Sequence, residues 1–312
     1  MRDLGMSFSS DTKNELCRVE PQQCCRKAEC YGLLLCGRNF SDAGVSLVTE
    51  NRAVARRAAR FTAETTGAVM DVSSSVLHKK SSAHSYTVGA AGAGEARKVL
   101  AFLGHTGKEI SLRINLGNLE NECCHSSFLR GAFLACGTVS DPGADYHLEF
   151  AVPYMNLAKD LTGLIRDILE LDLQPRLARR RGSFVVYLKG GEKVADFLAW
   201  LGAPVAAMKM IQVRMLKELR NNVNRQTNFE TANIGKAAAA AAQEVLAIEK
   251  IRRVSGIRAL PEELRELADL RCRNPELSLR ELGQRLSPPL SRSGVHHRMK
   301  RILEFSEKLE RR

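Results

Sequence analysis

The sequence predicts an α+β protein: a duplicated unit of helices and strands, followed by a smaller, all-helical and basic module. Three observations predict it. Residues Glu29–Gly44 and Ser126–Gly143 share a skeleton in which Gly32, Cys36, Ser41 and Asp42 match Gly131, Ala135, Ser140 and Asp141, each pair 99 residues apart. Strand and helix signals then recur in the same order behind each copy, as an internal duplication requires. Residues 252–312 show only helical spacing and hold fifteen Lys and Arg against nine Asp and Glu, half of the chain's net charge of +12.

With 312 residues, 44% hydrophobic and 26% charged, the chain falls among globular proteins with room for about two domains. A net +12 and a pI near 9.4 favour an acidic polymer, most simply nucleic acid, over a small acidic substrate. The sequence shows no leader pattern and no uninterrupted apolar run of about 18 residues, which predicts a cytoplasmic protein, associated with the nucleoid if DNA is its partner, and no membrane contact. Nine cysteines are an odd number, and Cys30, Cys36 and Cys136 lie in apolar helical runs, where they read as small buried thiols. The doublets Cys24-Cys25 and Cys123-Cys124 also repeat 99 residues apart. A shared zinc site is conceivable, but adjacent cysteines diverge and the C-x-x-C spacing is absent, so the doublets read as packing at the start of a duplicated helix and no metal is assigned.

In chain order, a capped first helix is expected from Ser9 to Arg18, and the first duplicated helix follows. Val45–Thr49 alternates as a strand, Arg52–Thr65 returns to helical spacing, Val69–Leu77 and Ser85–Ala90 read as strands, and Glu95–Leu103 as a helix ended by Gly104. The second copy repeats this with strand Tyr146–Val152, helix Met155–Glu170, strands Gln174–Ala178 and Ser183–Leu188, and helix Glu192–Leu201 ended by Gly202. Gly32 and Gly131 leave room for the two duplicated helices to pack closely about a pseudo-twofold axis.

These residues carry a resemblance. Cys30-Tyr-Gly-Leu-Leu-Leu-Cys-Gly37 and Leu129-Arg-Gly-Ala-Phe-Leu-Ala-Cys-Gly137 resemble the paired helices of LAGLIDADG homing endonucleases, which implies two pseudo-symmetric halves over a saddle of strands. The family's metal-binding acids fall here on Gly37 and Cys136, which supply no hard oxygen ligand. Asp42 and Asp141 lie one turn further on, in Ser-Asp-Ala-Gly and Ser-Asp-Pro-Gly, and read as turn residues before displaced metal ligands.

After residue 204 the pattern becomes helical. Met210–Asn222 is a basic amphipathic helix, Asn222–Asn233 is polar, and Ile234–Lys250 is Ala-rich; together residues 205–251 read as a helical linker. Asn224, Arg225 and Asn228 in the polar run suit phosphate or serve as caps between helices. In the last module, Pro261 fits the first turn of a helix to Arg273, Ser278-Leu-Arg-Glu281 is a capping box opening a second, and Ser287-Pro-Pro-Leu290 breaks it. Ser291 caps a third helix to about Leu309. Short connections and a basic third helix predict a helix-turn-helix. On the helical wheel Val295, Met299, Ile302 and Leu303 share one side, leaving Ser293, Gly294, His297, Lys300 and Arg301 opposite, flanked by Arg292, His296 and Arg298. The first three suit base edges and the next two phosphates, while adjacent His296 and His297 diverge too far to share a metal.

The twin unit without its acids, the segment Arg220–Asn233 and the ending Ser291–Lys300 together resemble the bacterial WhiA family over nearly the whole chain from Met6. The resemblance implies a DNA-binding regulator linked to sporulation septation, cell division and chromosome segregation, with double-stranded DNA as partner, a protein partner besides, and no cofactor or catalytic residue. The expected domains are 1–204 (units about 20–104 and 119–202), 205–251 and 252–312. Two rivals remain: a metal-dependent homing-type endonuclease, and a duplicated unit that serves only as a protein-interaction platform. In the second rival Arg130, Arg166, Arg176, Arg179, Arg180 and Arg181 are mere surface charge, whereas in the first reading Arg179, Arg180 and Arg181 are secondary DNA contacts.

Overall fold

A computed structural model describes residues 7–76 and 84–309; Leu77, the expected end of a strand, lies outside them. The chain divides into two compact units, Met1–Lys217 and Glu218–Arg312.

The first unit is built twice on one plan. After α1 (Phe8–Leu16, capped by Ser7), the first copy runs α2 (Gln23–Leu35), β1 (Asn39–Ser41), β2 (Gly44–Thr49), α3 (Arg52–Thr66), β3 (Met70–Val76), β4 (His84–Ala90) and α4 (Ala93–Phe102). The second runs α5 (Glu122–Cys136), β5 (Gly137–Val139), β6 (His147–Val152), α6 (Met155–Arg166), β7 (Arg176–Arg180), β8 (Ser183–Lys189) and α7 (Gly191–Leu201). Each copy forms a four-stranded antiparallel sheet, ordered β1-β2-β4-β3 and β5-β6-β8-β7. The short strands β1 and β5 were not legible in the sequence: three residues leaving a turn carry no alternation of their own, and pairing with β2 and β6 makes them strands. The strand expected at Gln174–Ala178 begins two residues later, because Asp172 takes a left-handed turn (φ 44°) and Pro175 has no N–H to give a ladder. It therefore carries Arg179 and Arg180 to a two-residue hairpin of Arg181 (φ 47°) and Gly182 (φ 85°).

One hydrophobic core joins α2 and α5 to both sheets, and it includes Tyr31, Leu33, Leu34, Phe128, Phe133 and Phe150, all fully buried. The two glycines at the helix crossing are reciprocal. A methyl group on Gly32 would lie 2.2 Å from the Phe128 carbonyl, and one on Gly131 would lie 2.1 Å from the Glu29 carbonyl. No other residue permits that approach. Arg130, expected on the surface, is a correction: it is buried, donating to the Leu201 carbonyl (2.7 Å) and pairing with the fully buried Glu29 (3.1 Å), which Arg57 also binds (2.9 Å). A guanidinium one residue before the close-approach glycine faces the partner helix, and only a carboxylate there makes its burial tolerable.

Helix α8 (Pro204–Val254) contributes residues to both units. Within the expected helical linker the polar run Asn222–Asn233, whose Asn and Arg offered caps between helices as an alternative, is helical throughout, and every side chain from Glu218 to Ala240 is exposed. Strong helix formers on both sides propagate through it, and Gln226 bonds Glu230 one turn on (3.0 Å). No described helix is long and apolar enough to cross a membrane.

In the second unit the end of α8 packs with α9 (Glu262–Arg273), α10 (Leu279–Arg285) and α11 (Arg292–Lys308) around Ile248, Ile251, Leu264, Leu267, Leu282, Val295, Met299 and Ile302. Arg271, buried, binds Glu244 of α8 (2.8 Å) and the carbonyl of Leu277 (2.7 Å), so it fixes α9 to α8 and holds the turn before α10. Burial pushes the Glu244 carboxyl up against the opposing pull of Arg271.

Candidate nucleic-acid interface

The geometry of α11 begins at its caps. Ser278 accepts from the Glu281 amide (3.3 Å) while the Glu281 carboxylate accepts from the Ser278 amide (2.8 Å), which closes the capping box of α10 and holds the Glu281 carboxyl below its usual range. Between α10 and α11 the chain turns tightly. Leu290 donates to the Gly283 carbonyl (2.9 Å), and a methyl group on Gly283 would lie 2.3 Å from the Leu290 carbonyl. Gly283 therefore sets how near the two helices come, a role invisible in a sequence where it sits inside a helical pattern. Ser291 caps α11 by accepting from the Gly294 amide (3.2 Å).

Val295, Met299 and Ile302 are buried and Leu303 is half-buried, so the apolar side of α11 faces the module's core. Arg292, Ser293, His296, His297 and Lys300 are exposed; Gly294, Arg298 and Arg301 are half-buried. The exposed set divides further by its partners. Lys300 meets only Glu304 of its own helix (3.9 Å), a weak i,i+4 contact, and His297 and Ser293 lie on the same open side. Arg301 is paired with Glu263 of α9, and Arg298 donates to the Glu263 carbonyl (3.1 Å). These two arginines brace α11 against α9, a contact the wheel of a single helix does not reveal.

At the other candidate location, the C-terminal end of α5 borders a groove of about 640 Å³ shared with α1, β2 and β4. Its lining includes Lys13, Asn51, His84, Tyr86 and Thr138, and a single carboxylate, Glu50. Lys13 donates to the Leu134 carbonyl (3.2 Å), and burial pulls its ammonium below the usual lysine range. The Cys136 thiol and burial together hold the Cys36 thiol well above its ordinary value. Gly37 admits no side chain, since a methyl group there would lie 2.7 Å from the Ser46 carbonyl. Asp141 accepts from the Gly143 amide (2.6 Å), as a turn residue does, and Asp42 faces Lys108 (4.0 Å). Among the described residues neither aspartate joins a group of three metal-type ligands.

The sheets differ in what their open faces offer. On the second, Arg176, Tyr187 and Glu149 are in register, as are Lys189 with His147 and Arg180 with Ser183. Arg180 reaches Glu149 (3.3 Å) on this face, while Arg179, exposed and in register with Phe184, belongs to the opposite face and lies over that ring. On the first, the corresponding described strand residues are Asn39, Ser46, Val48, Asp71, Ser73, Ser75 and Thr87, with no Lys or Arg. Asn224, Arg225 and Asn228 are exposed along α8.

Residues 125–220 match the WhiA LAGLIDADG-like domain, and residues 223–306 match the WhiA C-terminal HTH domain. A probable cell division protein WhiA of Ruminiclostridium cellulolyticum is 38% identical over 98% of this chain and 99% of its own length. The protein of the same description from Alkaliphilus metalliredigens is 36% identical over 97% and 98%. The crystal structure of full-length WhiA from Thermatoga maritima superposes with a TM-score of 0.59 at 25% identity, covering 97% of this chain and 99% of that one.

Proposed function

This chain belongs to the WhiA family, and from that premise we propose that it is a sequence-specific DNA-binding regulator of cell division, with sporulation septation and chromosome segregation as the associated processes. Helix α11 reads the DNA. Ser293 and His297 meet base edges in the major groove, Arg292 and Lys300 hold phosphates, and Gly294 lets the helix start approach the duplex. Arg298 and Arg301 orient the helix from α9 and reach phosphate only by leaving Glu263. The observation that carries this reading is the open polar face at the capped start of α11, presented by a module that matches the family's HTH domain. The duplicated unit adds affinity through Arg176, Arg179, Arg180 and Arg181 and does no chemistry, as the missing carboxylates at Gly37 and Cys136 argue. Asn224, Arg225 and Asn228 add phosphate contacts from α8. The protein works at the nucleoid, in the cytoplasm.

The test is selection of bound duplexes from a random DNA pool by the full chain, followed by incubation of the chain with supercoiled DNA and Mg²⁺. Enrichment of one sequence, altered in His297→Ala, and intact supercoiled DNA are the expected results. A pool left unenriched overturns the reading role of α11, and catalytic nicking overturns the non-enzymatic role of the duplicated unit.

A further inference from the structure

The duplicated helices meet at their N-terminal ends as well, and there the two cysteine doublets converge. Cys24 and Cys25 lie in the first turn of α2, and Cys123 and Cys124 in the first turn of α5. The Cys24 and Cys123 sulfurs are 4.0 Å apart, those of Cys24 and Cys25 are 3.9 Å apart, and all four sulfurs lie within 4.8 Å of one another. Among the described residues no other group of metal-type side chains is gathered in this way. Along a single helix adjacent cysteines diverge, too far for one doublet to close a metal site. With two helices related by a pseudo-twofold axis, each doublet diverges around a common point, and the four thiols surround it.

We propose that Cys24, Cys25, Cys123 and Cys124 form a tetrathiolate site for a single Zn²⁺ ion that ties the start of α2 to the start of α5. Zinc–sulfur bonds of about 2.3 Å in a tetrahedron place the sulfurs about 3.8 Å apart, so the observed spacing needs a contraction of less than about 1 Å. A four-iron cluster puts each thiolate on a different iron and needs a wider cage than this one. Four ligands from the protein close the coordination sphere, which marks a structural site and not a catalytic one. All four cysteines lie in the first turns of α2 and α5, where the helix dipoles favour the negative charge that a zinc tetrathiolate keeps. Cys25 and Cys124 are buried, Cys24 is partly covered and Cys123 is exposed, so one edge remains open for the ion to enter. Zn²⁺ binds thiolates, so loading the site releases the thiol protons. The site lies twelve residues up α2 from Cys36, about 18 Å from the helix end where the first acid is missing, and owes nothing to nuclease chemistry.

The experiment is a titration of the reduced, metal-free full chain with Co²⁺ and then Zn²⁺. Charge-transfer and ligand-field bands of tetrahedral cobalt thiolate should rise to saturation at one equivalent and vanish as zinc displaces cobalt. With zinc bound, alkylation should modify Cys17, Cys136 and Cys272 while sparing the four site cysteines. Cys24→Ser with Cys123→Ser should abolish the bands, and Cys17→Ser with Cys272→Ser should keep them. Absence of saturable bands in the wild-type chain, equal alkylation of the doublets with and without zinc, or recovery of the isolated chain with a Cys24–Cys123 disulfide would each overturn the proposal.

Discussion

Helices α2 and α5 meet twice across the pseudo-twofold axis, and the two meetings are chemically opposite. Glu29 and Arg130 form a buried ion pair at 3.1 Å, while the positions related to them by the repeat, Phe128 and Tyr31, pack as rings 5.4 Å apart. The backbone between them is matched on both sides, with Gly32 against Phe128 and Gly131 against Glu29. Duplication fixed where the helices touch, and divergence then made each half complementary to the other and not to itself. Two copies of α2 paired together would bring Glu29 against Tyr31, and two copies of α5 would bring Arg130 against Phe128, each leaving a charge without its partner.

The polar meeting is the more expensive one to break. Glu29→Gln should destabilise the first unit by about 3–5 kcal/mol, because it leaves Arg57 and Arg130 buried without their carboxylate. Urea unfolding reads this directly, and a loss of under about 1 kcal/mol would mean that water replaces the pair. The glycines come next. Gly32→Ala and Gly131→Ala should each cost up to about 3 kcal/mol by forcing the helices apart, and the two losses should match. Unequal thermal shifts for the two variants would break the symmetry of the crossing.

A smaller effect sharpens the contrast between the two sheets. Arg176→Ala with Arg180→Ala should lower the slope of log affinity for any duplex against log salt by up to about 1 per lost phosphate contact. Ser73→Ala with Ser75→Ala, on the first sheet, should leave it unchanged. Fluorescence anisotropy at several salt concentrations separates the two pairs, and equal slopes for both would make the basic sheet face mere surface charge.

The smallest effect lies on the aromatic side of the crossing. Tyr31 shares a hydrogen bond with His105 (2.8 Å) and accepts from the Asn115 amide (2.7 Å). Burial lowers the His105 pKa, against the weaker opposing pull of Glu109. The unfolded chain therefore takes up this proton first. Stability from His105 is present above its unfolded value of about 6.5 and declines as pH falls through that value and toward the folded one. His105→Gln should flatten the decline in urea midpoint as pH falls below about 6.5, and an unchanged profile would assign it to other groups.

Much of this architecture was legible in the chain. The glycine and serine spacing that located the repeat reflects close approach and turn geometry, which only a few residue types satisfy, and the Ser278 and Ser291 caps are local chemistry. The misread features depend on contacts distant in sequence. Arg130 looked like surface charge because its carboxylate lies 101 residues earlier. Strands β1 and β5 exist through their partners. The same holds in the recognition module. The wheel separated buried from open residues on α11, but only the fold shows Arg298 and Arg301 engaged with Glu263 and Gly283 holding the turn.

DNA reading by α11 is tested most directly by titrating the selected duplex and a scrambled one with the full chain, His297→Ala and Lys300→Ala, at several salt concentrations. A reading role predicts that His297→Ala loses the preference for the selected duplex while keeping the salt slope, and that Lys300→Ala weakens both duplexes alike with a slope lower by about 0.9. Identical behaviour of the two variants, or a preference that survives in both, would contradict it.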